Sequence, residues 1–143
     1  MEIHYQFFED NNLLIHKFIG EFSITDYENY MTESTKQFDV NKVEKTLTDL
    51  RNLKDSPIPD DIDKLINELI RIREKVKLKS VKNIFIVEKP VAAAISSLYQ
   101  NSQLSKGMDY SLCSTLNYAI KYLGLNYTVA KLEEIIKNLK HKI

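Results

Sequence analysis

The chain has 143 residues, and its 20 basic residues are balanced by 20 acidic ones. Its length suits one domain with its own core, and 43% hydrophobic with 28% charged residues is typical of a folded chain, not a disordered one. A net charge of zero gives no long-range attraction to nucleic acid or to an anionic membrane. No apolar run approaches the ~18 residues of a membrane span.

The opening residues have neither the basic segment nor the long apolar segment of a signal peptide. Cys113 is the single cysteine, so no intramolecular disulfide is possible, and a reducing compartment is consistent with that. We therefore expect a cytoplasmic protein. The sequence contains no glycine-rich phosphate loop, no Cys-x-x-Cys and no His-Glu-x-x-His, so we predict no metal, no cofactor and no catalytic residue.

The first twenty residues predict a β-hairpin. Ile3, Tyr5 and Phe7 alternate with polar residues, which is typical of a half-buried strand. An acidic and asparagine-rich turn follows, since Asn and Asp tolerate left-handed backbone. Residues 13–19 then form a second, more apolar strand that ends near Gly20.

A helix and a third strand are predicted next. Thr25 and Glu28 have the spacing of a capping box, which indicates a helix over residues 26–38. A strand over residues 43–50 follows, and two prolines exclude regular structure from the loop over residues 51–61.

A second helix is predicted over residues 61–77, with acidic residues at its start and basic residues at its end, as the helix dipole favours. Its apolar stripe consists of Ile62, Leu65, Ile66, Leu69, Ile72 or Arg73, and Val76. The cations between Arg71 and Lys82 are interpreted mainly as the solvated side of the helix end. A phosphate-binding surface is the alternative.

Residues 81–88 contain a wholly apolar run that indicates a central strand buried on both faces. Pro90 fits the first position of a third helix, and a short strand follows within residues 107–113. Ser114 is predicted to cap a fourth helix that ends at Gly124.

A last helix is predicted over residues 128–142. Its apolar stripe must be buried, because an isolated helix of this length is marginal in water. The stripe either packs on its own domain or forms a homodimer contact with a second copy. The candidate dimer face consists of Leu132, Ile135, Ile136 and Leu139.

The order of elements and several segments resemble the STAS-like, or SpoIIAA-like (anti-sigma-factor-antagonist-like), family. The resemblance covers about residues 3–124. Its segments are Phe18 to Thr25, Lys45 to Arg51, Tyr110 to Leu116, Ala119-Ile120 and Leu123-Gly124.

The resemblance implies an α/β fold whose mixed, mostly parallel sheet has four to five strands, with helices mainly on one side. Residues 1–143 would form one domain, with a common core over residues 1–124 and a C-terminal helical extension over residues 125–143. In the classical members a serine after the third strand is phosphorylated, which switches binding to a partner kinase, and many STAS-like proteins lack this switch. Ser56 is the candidate here, although its loop is longer and Pro57 follows it.

The predicted function is a non-enzymatic regulatory module that meets a protein partner through loops at the strand ends. The candidate binding residues are Gly20, Thr25, Asp49, Arg51 and Ser56, because open α/β sheets bind ligands beyond the carboxyl ends of their strands. Structural roles are the alternative for Asp49 and Arg51, as a loop cap and a surface ion pair. Two other functions stay open: a carrier with an apolar pocket between sheet and helices, and an enzyme with a non-local site.

Histidine and cysteine are the residue types that could bind a metal or provide a reactive thiol. His4 and His16 lie on paired strands, but two imidazoles without further ligands make a poor metal site, so we interpret them as structural. Cys113 precedes a predicted helix start, which can lower the pKa of a thiol. A small buried packing residue is the alternative.

Overall fold

The computed structural model describes residues 1–143 except Ser105 and the side chain of Leu104. These residues form six strands: β1 (Glu2–Phe8), β2 (Leu13–Gly20), β3 (Lys45–Leu53), β4 (Lys82–Ile86), β5 (Asp109–Cys113) and β6 (His141–Lys142). They also form five α-helices: α1 (Ile24–Ser34), α2 (Ile62–Lys75), α3 (Pro90–Leu104), α4 (Leu116–Leu123) and α5 (Val129–Lys137). The α/β class predicted from the sequence is confirmed.

The described strands form one mixed sheet in the order β5-β4-β3-β2-β1-β6. Strands β2, β3, β4 and β5 run parallel to one another, whereas β1 is antiparallel to both β2 and β6. The predicted hairpin is therefore present. The prediction of a mostly parallel sheet of four to five strands is wrong, because antiparallel pairing occupies one side of the sheet and a sixth strand extends it.

Helices cover both faces of the sheet, so the implied one-sided arrangement is also wrong. On one face α1 and α2 pack on Leu14, Phe18 and Leu50, and α3 packs against α2 and β5. On the other face α4 and α5 pack on a wholly aliphatic set that includes Ile15 and Ile84. We call these the α1–α3 face and the α4–α5 face.

Helix α3 starts at Pro90 as predicted, whereas α1 and α4 start one or two residues away from their predicted starts. Ser23, not Thr25, caps α1 by accepting a hydrogen bond from the Asp26 backbone N–H, and α1 ends at Ser34. Thr115, not Ser114, caps α4 in the same way. In each case a neighbouring hydroxyl takes the cap, since Ser and Thr are both competent there.

The C-terminal segment differs most from its prediction. Thr128 caps α5 as expected, but the helix ends at Lys137, and the chain then adds β6 to the free edge of β1. Leu132, Ile136 and Leu139 are buried against this molecule's own aliphatic core, and Ile135 packs beside them. The candidate dimer face is thus covered within the chain, and a homodimer contact through it stays a prediction.

Candidate functional site

A cavity of about 120 Å³ lies between the sheet and helices α2 and α3 on the α1–α3 face. Alternation along β3 explains which residues reach it, because successive side chains point to opposite faces. Thr46, Thr48 and Leu50 line the cavity. Leu47 lies instead in the aliphatic core of the α4–α5 face.

The cavity wall is mainly aromatic and aliphatic. Phe85 and Tyr110 stack with their ring centres 5.7 Å apart, and Tyr99 meets Tyr110 edge-on at 5.5 Å. Leu65 and Leu69 of α2 and Ile95 of α3 complete the apolar lining. Such a wall favours an apolar ligand, with polar groups left to fix its orientation.

The cavity approaches the surface at the carboxyl ends of the parallel strands. Phe22 follows β2, residues 54–56 follow β3, and Lys89 follows β4, and all of these line it. Lys54 and Asp55 are exposed, and Phe22 and Ser56 are half-buried. This is the edge at which open α/β sheets hold their ligands.

His16 lies on the cavity wall, and each of its two ring nitrogens contacts a hydroxyl group. His16 Nδ1 is 2.8 Å from the Tyr30 hydroxyl, and His16 Nε2 is 2.6 Å from the Thr48 hydroxyl. Burial, and to a smaller extent the charge of Arg73, lowers the pKa of His16 to about 3. The imidazole is therefore neutral at physiological pH and adds no charge to the cavity.

Arg73 contributes the charge at the cavity wall, and only 6% of its surface is exposed. Its Nη2 donates to the Ser80 hydroxyl at 2.5 Å and to Asn83 Oδ1 at 3.0 Å. Its guanidinium carbon lies 5.6 Å from the centre of the Tyr110 ring. All of these partners are neutral.

The predicted site residues are divided between the two faces. Ser56 lines the cavity mouth, whereas Asp49 and Arg51 lie with the α4–α5 face, where Arg51 bridges Asp49 and Glu133. Gly20 ends β2 with a left-handed backbone, φ 90°, which a glycine adopts without strain. Thr25 is exposed in the first turn of α1. Their assignment as binding residues, and Ser56 as a phosphorylation site, stay predictions.

Cys113 is not an activated thiol. Its Sγ donates to the Thr115 carbonyl at 3.3 Å, and burial raises its pKa. Within residues 1–104 and 106–143, no three His, Cys, Asp or Glu side chains come together as a metal site.

The sequence predicts Arg73 only as an alternative to Ile72 in the apolar stripe of α2, and not as a site residue. It is four residues after Leu69 and seven after Ile66, so it lies on the inward side of α2. The surrounding cations favoured a solvated helix end instead. Its position in the apolar stripe was the signal that could have identified it.

No family model matches the chain, and no curated protein matches it significantly. None of the helices in the described residues has the length and apolar character needed to cross a membrane.

Proposed function

We propose that this protein binds a small, largely apolar molecule in the cavity between its sheet and helices α2 and α3. The supporting observation is a hollow of about 120 Å³ within a core whose other face is filled by aliphatic side chains. Protein interiors are normally close-packed. A hollow of this size is therefore a candidate ligand site.

The size of the hollow limits its ligand. An engineered apolar cavity of about 150 Å³ in another protein holds benzene. We therefore expect an apolar body of about that size, such as one aromatic ring or a short aliphatic chain. The stacked rings of Phe85 and Tyr110 provide an aromatic wall for it.

Two residues of α3 give a matched test. Ser96 is buried and lines the cavity, whereas Ser97 is exposed on the same helix. Ser96→Leu adds an apolar side chain into the hollow, and Ser97→Leu makes the same chemical change outside it. We expect the wild-type protein and Ser97→Leu to broaden the ¹⁹F NMR signal of trifluoromethylbenzene, and Ser96→Leu to leave it sharp.

Circular dichroism and a thermal melt establish that both variants are folded. Filling a hollow recovers contacts, so Ser96→Leu should melt no lower than Ser97→Leu. Absence of binding to the wild-type protein, or equal binding by the two variants, would contradict the proposal.

The regulatory, protein-binding function stays a second proposal. One observation favours linking it to the cavity. Ser56, a predicted binding residue in the contact loop that follows β3, lines the cavity mouth together with Lys54 of the same loop. A bound ligand would thus lie beside the surface that a partner meets. A pull-down that compares the wild-type protein with Ser56→Glu and Arg51→Ala tests this proposal, and we expect either substitution to weaken capture of a partner. Normal capture by both variants would show that this contact loop does not bind the partner. The non-enzymatic character of the protein and its cytoplasmic location also stay predictions.

A further inference from the structure

The charge of Arg73 is buried at the cavity wall without an acid beside it. Among the described residues, no Asp or Glu lies within ion-pair distance of its guanidinium. Burying a charge is costly unless it is paired and hydrogen-bonded. Ser80 and Asn83 satisfy one nitrogen of this guanidinium but do not neutralise it.

Three unsatisfied groups belong to residues of this same wall. Nε of Arg73 and the hydroxyls of Tyr99 and Tyr110 are buried and, within the part of the chain that the structure describes, make no hydrogen bond of good geometry, although Tyr99 lies close to both Arg73 and Tyr110. Tyr99 and Tyr110 are only 6% and 3% exposed. Leaving a buried polar group without a partner is costly, so three such groups from one wall require an explanation.

We infer that the ligand of this cavity carries a single carboxylate, which pairs with Arg73 and accepts from the hydroxyl of Tyr99 or Tyr110. This inference rests on the proposed function. The apolar body of the ligand would lie along Phe85 and Ile95 toward the mouth. Because the unsatisfied atoms are themselves out of contact with solvent, Arg73 or a tyrosine ring must turn slightly toward the ligand.

A carboxylate fits this wall better than a phosphate does. It carries one negative charge, which one guanidinium balances, and its two oxygens can accept from separate donors. A phosphate monoester carries close to two charges at neutral pH. His16 cannot balance the second charge, because it is neutral and both its ring nitrogens already have partners.

A pair of ligands that differ only in the head group tests the inference. Titration calorimetry would compare 3-phenylpropanoate with 3-phenylpropan-1-ol, which have the same apolar body. We expect the wild-type protein to bind the carboxylate at least tenfold more tightly. Arg73→Met should abolish this preference while retaining affinity for the alcohol.

Arg71→Met is the matched control, because Arg71 is on the same helix, is half-exposed and pairs with Glu28 and Glu68. It should leave the affinity for both ligands unchanged. The double variant Tyr99→Phe/Tyr110→Phe removes two hydroxyls that have no partner. It should weaken carboxylate binding several-fold and leave alcohol binding intact, and it provides the readout if Arg73→Met does not fold.

Equal affinity of the wild-type protein for the two ligands would overturn the inference and leave the proposed function standing. A preference for the carboxylate that survives both Arg73→Met and the double tyrosine variant would also overturn it. If neither ligand binds and trifluoromethylbenzene does not bind either, the proposed function fails as well.

Discussion

Two arginines on opposite faces of the sheet are held in contrasting ways. Arg51, on the α4–α5 face, donates to both carboxylate oxygens of Asp49 at 2.8–2.9 Å and also contacts Glu133. Arg73, on the α1–α3 face, donates to neutral oxygens of Ser80 and Asn83. Among the residues that the structure describes, the charge of Arg51 is balanced by acidic side chains and the charge of Arg73 is not.

The packing around the two arginines differs in the same sense. The α4–α5 face is filled by aliphatic side chains such as Leu47 and Ile84. The α1–α3 face contains the cavity and the unsatisfied hydroxyls of Tyr99 and Tyr110. We interpret the first face as structural and the second as built to be completed by a ligand.

The largest expected effect concerns the balanced arginine. Asp49 is 0% exposed, and Asp49→Asn removes the charge that Arg51 faces while keeping the side chain's size. We expect the free energy of unfolding to fall by about 2–3 kcal/mol, somewhat less than the about 3–5 kcal/mol for breaking a fully buried pair, because Arg51 is partly exposed. Urea denaturation monitored by circular dichroism measures it.

Glu133→Gln is the control, since Glu133 is 38% exposed on its side chain and contacts the same arginine at 3.3 Å. Exposed ion pairs contribute little, so we expect a change of no more than about 0.5 kcal/mol. Equal losses for the two variants would show that Asp49 is not the partner that balances Arg51, and the comparison between the two faces would fail.

The second effect is a pH dependence that originates on the α1–α3 face. The folded-state pKa of His16 is lowered to about 3, so below its unfolded value of about 6.5 only the unfolded chain takes up this proton. The stability that neutral His16 contributes is fully present above pH 6.5 and is lost as the pH falls toward 3. We expect a loss of about 1.4 kcal/mol per pH unit below pH 6.

Urea denaturation at pH 7, 6 and 5 of the wild-type protein and of His16→Gln measures this slope. His16→Gln is expected to be less stable than the wild-type protein at pH 7. Between pH 6 and 5 its unfolding free energy should fall less steeply, by the about 1.4 kcal/mol per pH unit that uptake of one proton contributes. Parallel slopes for the two proteins would show that His16 is not held neutral, and that a second positive charge is tolerated beside Arg73.

Periodic segments were the predictable part of this fold. The alternation of Ile3, Tyr5 and Phe7 and the apolar run before Glu88 identified strands that the structure contains. β6 was not predictable, because a strand of two residues is too short to show any period. It forms by pairing with the edge of β1, which is distant in the sequence. Caps shifted to Ser23 and Thr115 because adjacent hydroxyls compete for the same role.

The site was less predictable than the fold. Asp49 and Arg51 lie near the carboxyl end of β3, as expected, but the period of two turns them away from Thr48 and the cavity. Sequence alone does not reveal which face of a sheet is left hollow, because hollows depend on how distant helices pack. Arg73 was ambiguous because its place in the apolar stripe and its charge favoured opposite interpretations.

The smallest expected effect separates the two arginines most directly. Arg73→Met replaces an unbalanced buried charge by an apolar side chain of similar length. Replacing buried charges by apolar groups is often neutral or stabilising. We therefore expect the unfolding free energy of the ligand-free protein to stay within about 1 kcal/mol of wild type, or to rise. Arg51→Met leaves Asp49 buried without its partner and should cost clearly more.

If Arg73 serves binding, its replacement should matter most when the ligand is present. Saturating 3-phenylpropanoate should raise the melting temperature of the wild-type protein, since binding to the folded state alone stabilises it by mass action. It should raise the melting temperature of Arg73→Met clearly less, because that variant keeps only the affinity for the apolar body of the ligand. A loss in ligand-free Arg73→Met as large as that in Arg51→Met would mean that Ser80 and Asn83 already make Arg73 a structural group. The α1–α3 face would then be completed from within, like the α4–α5 face.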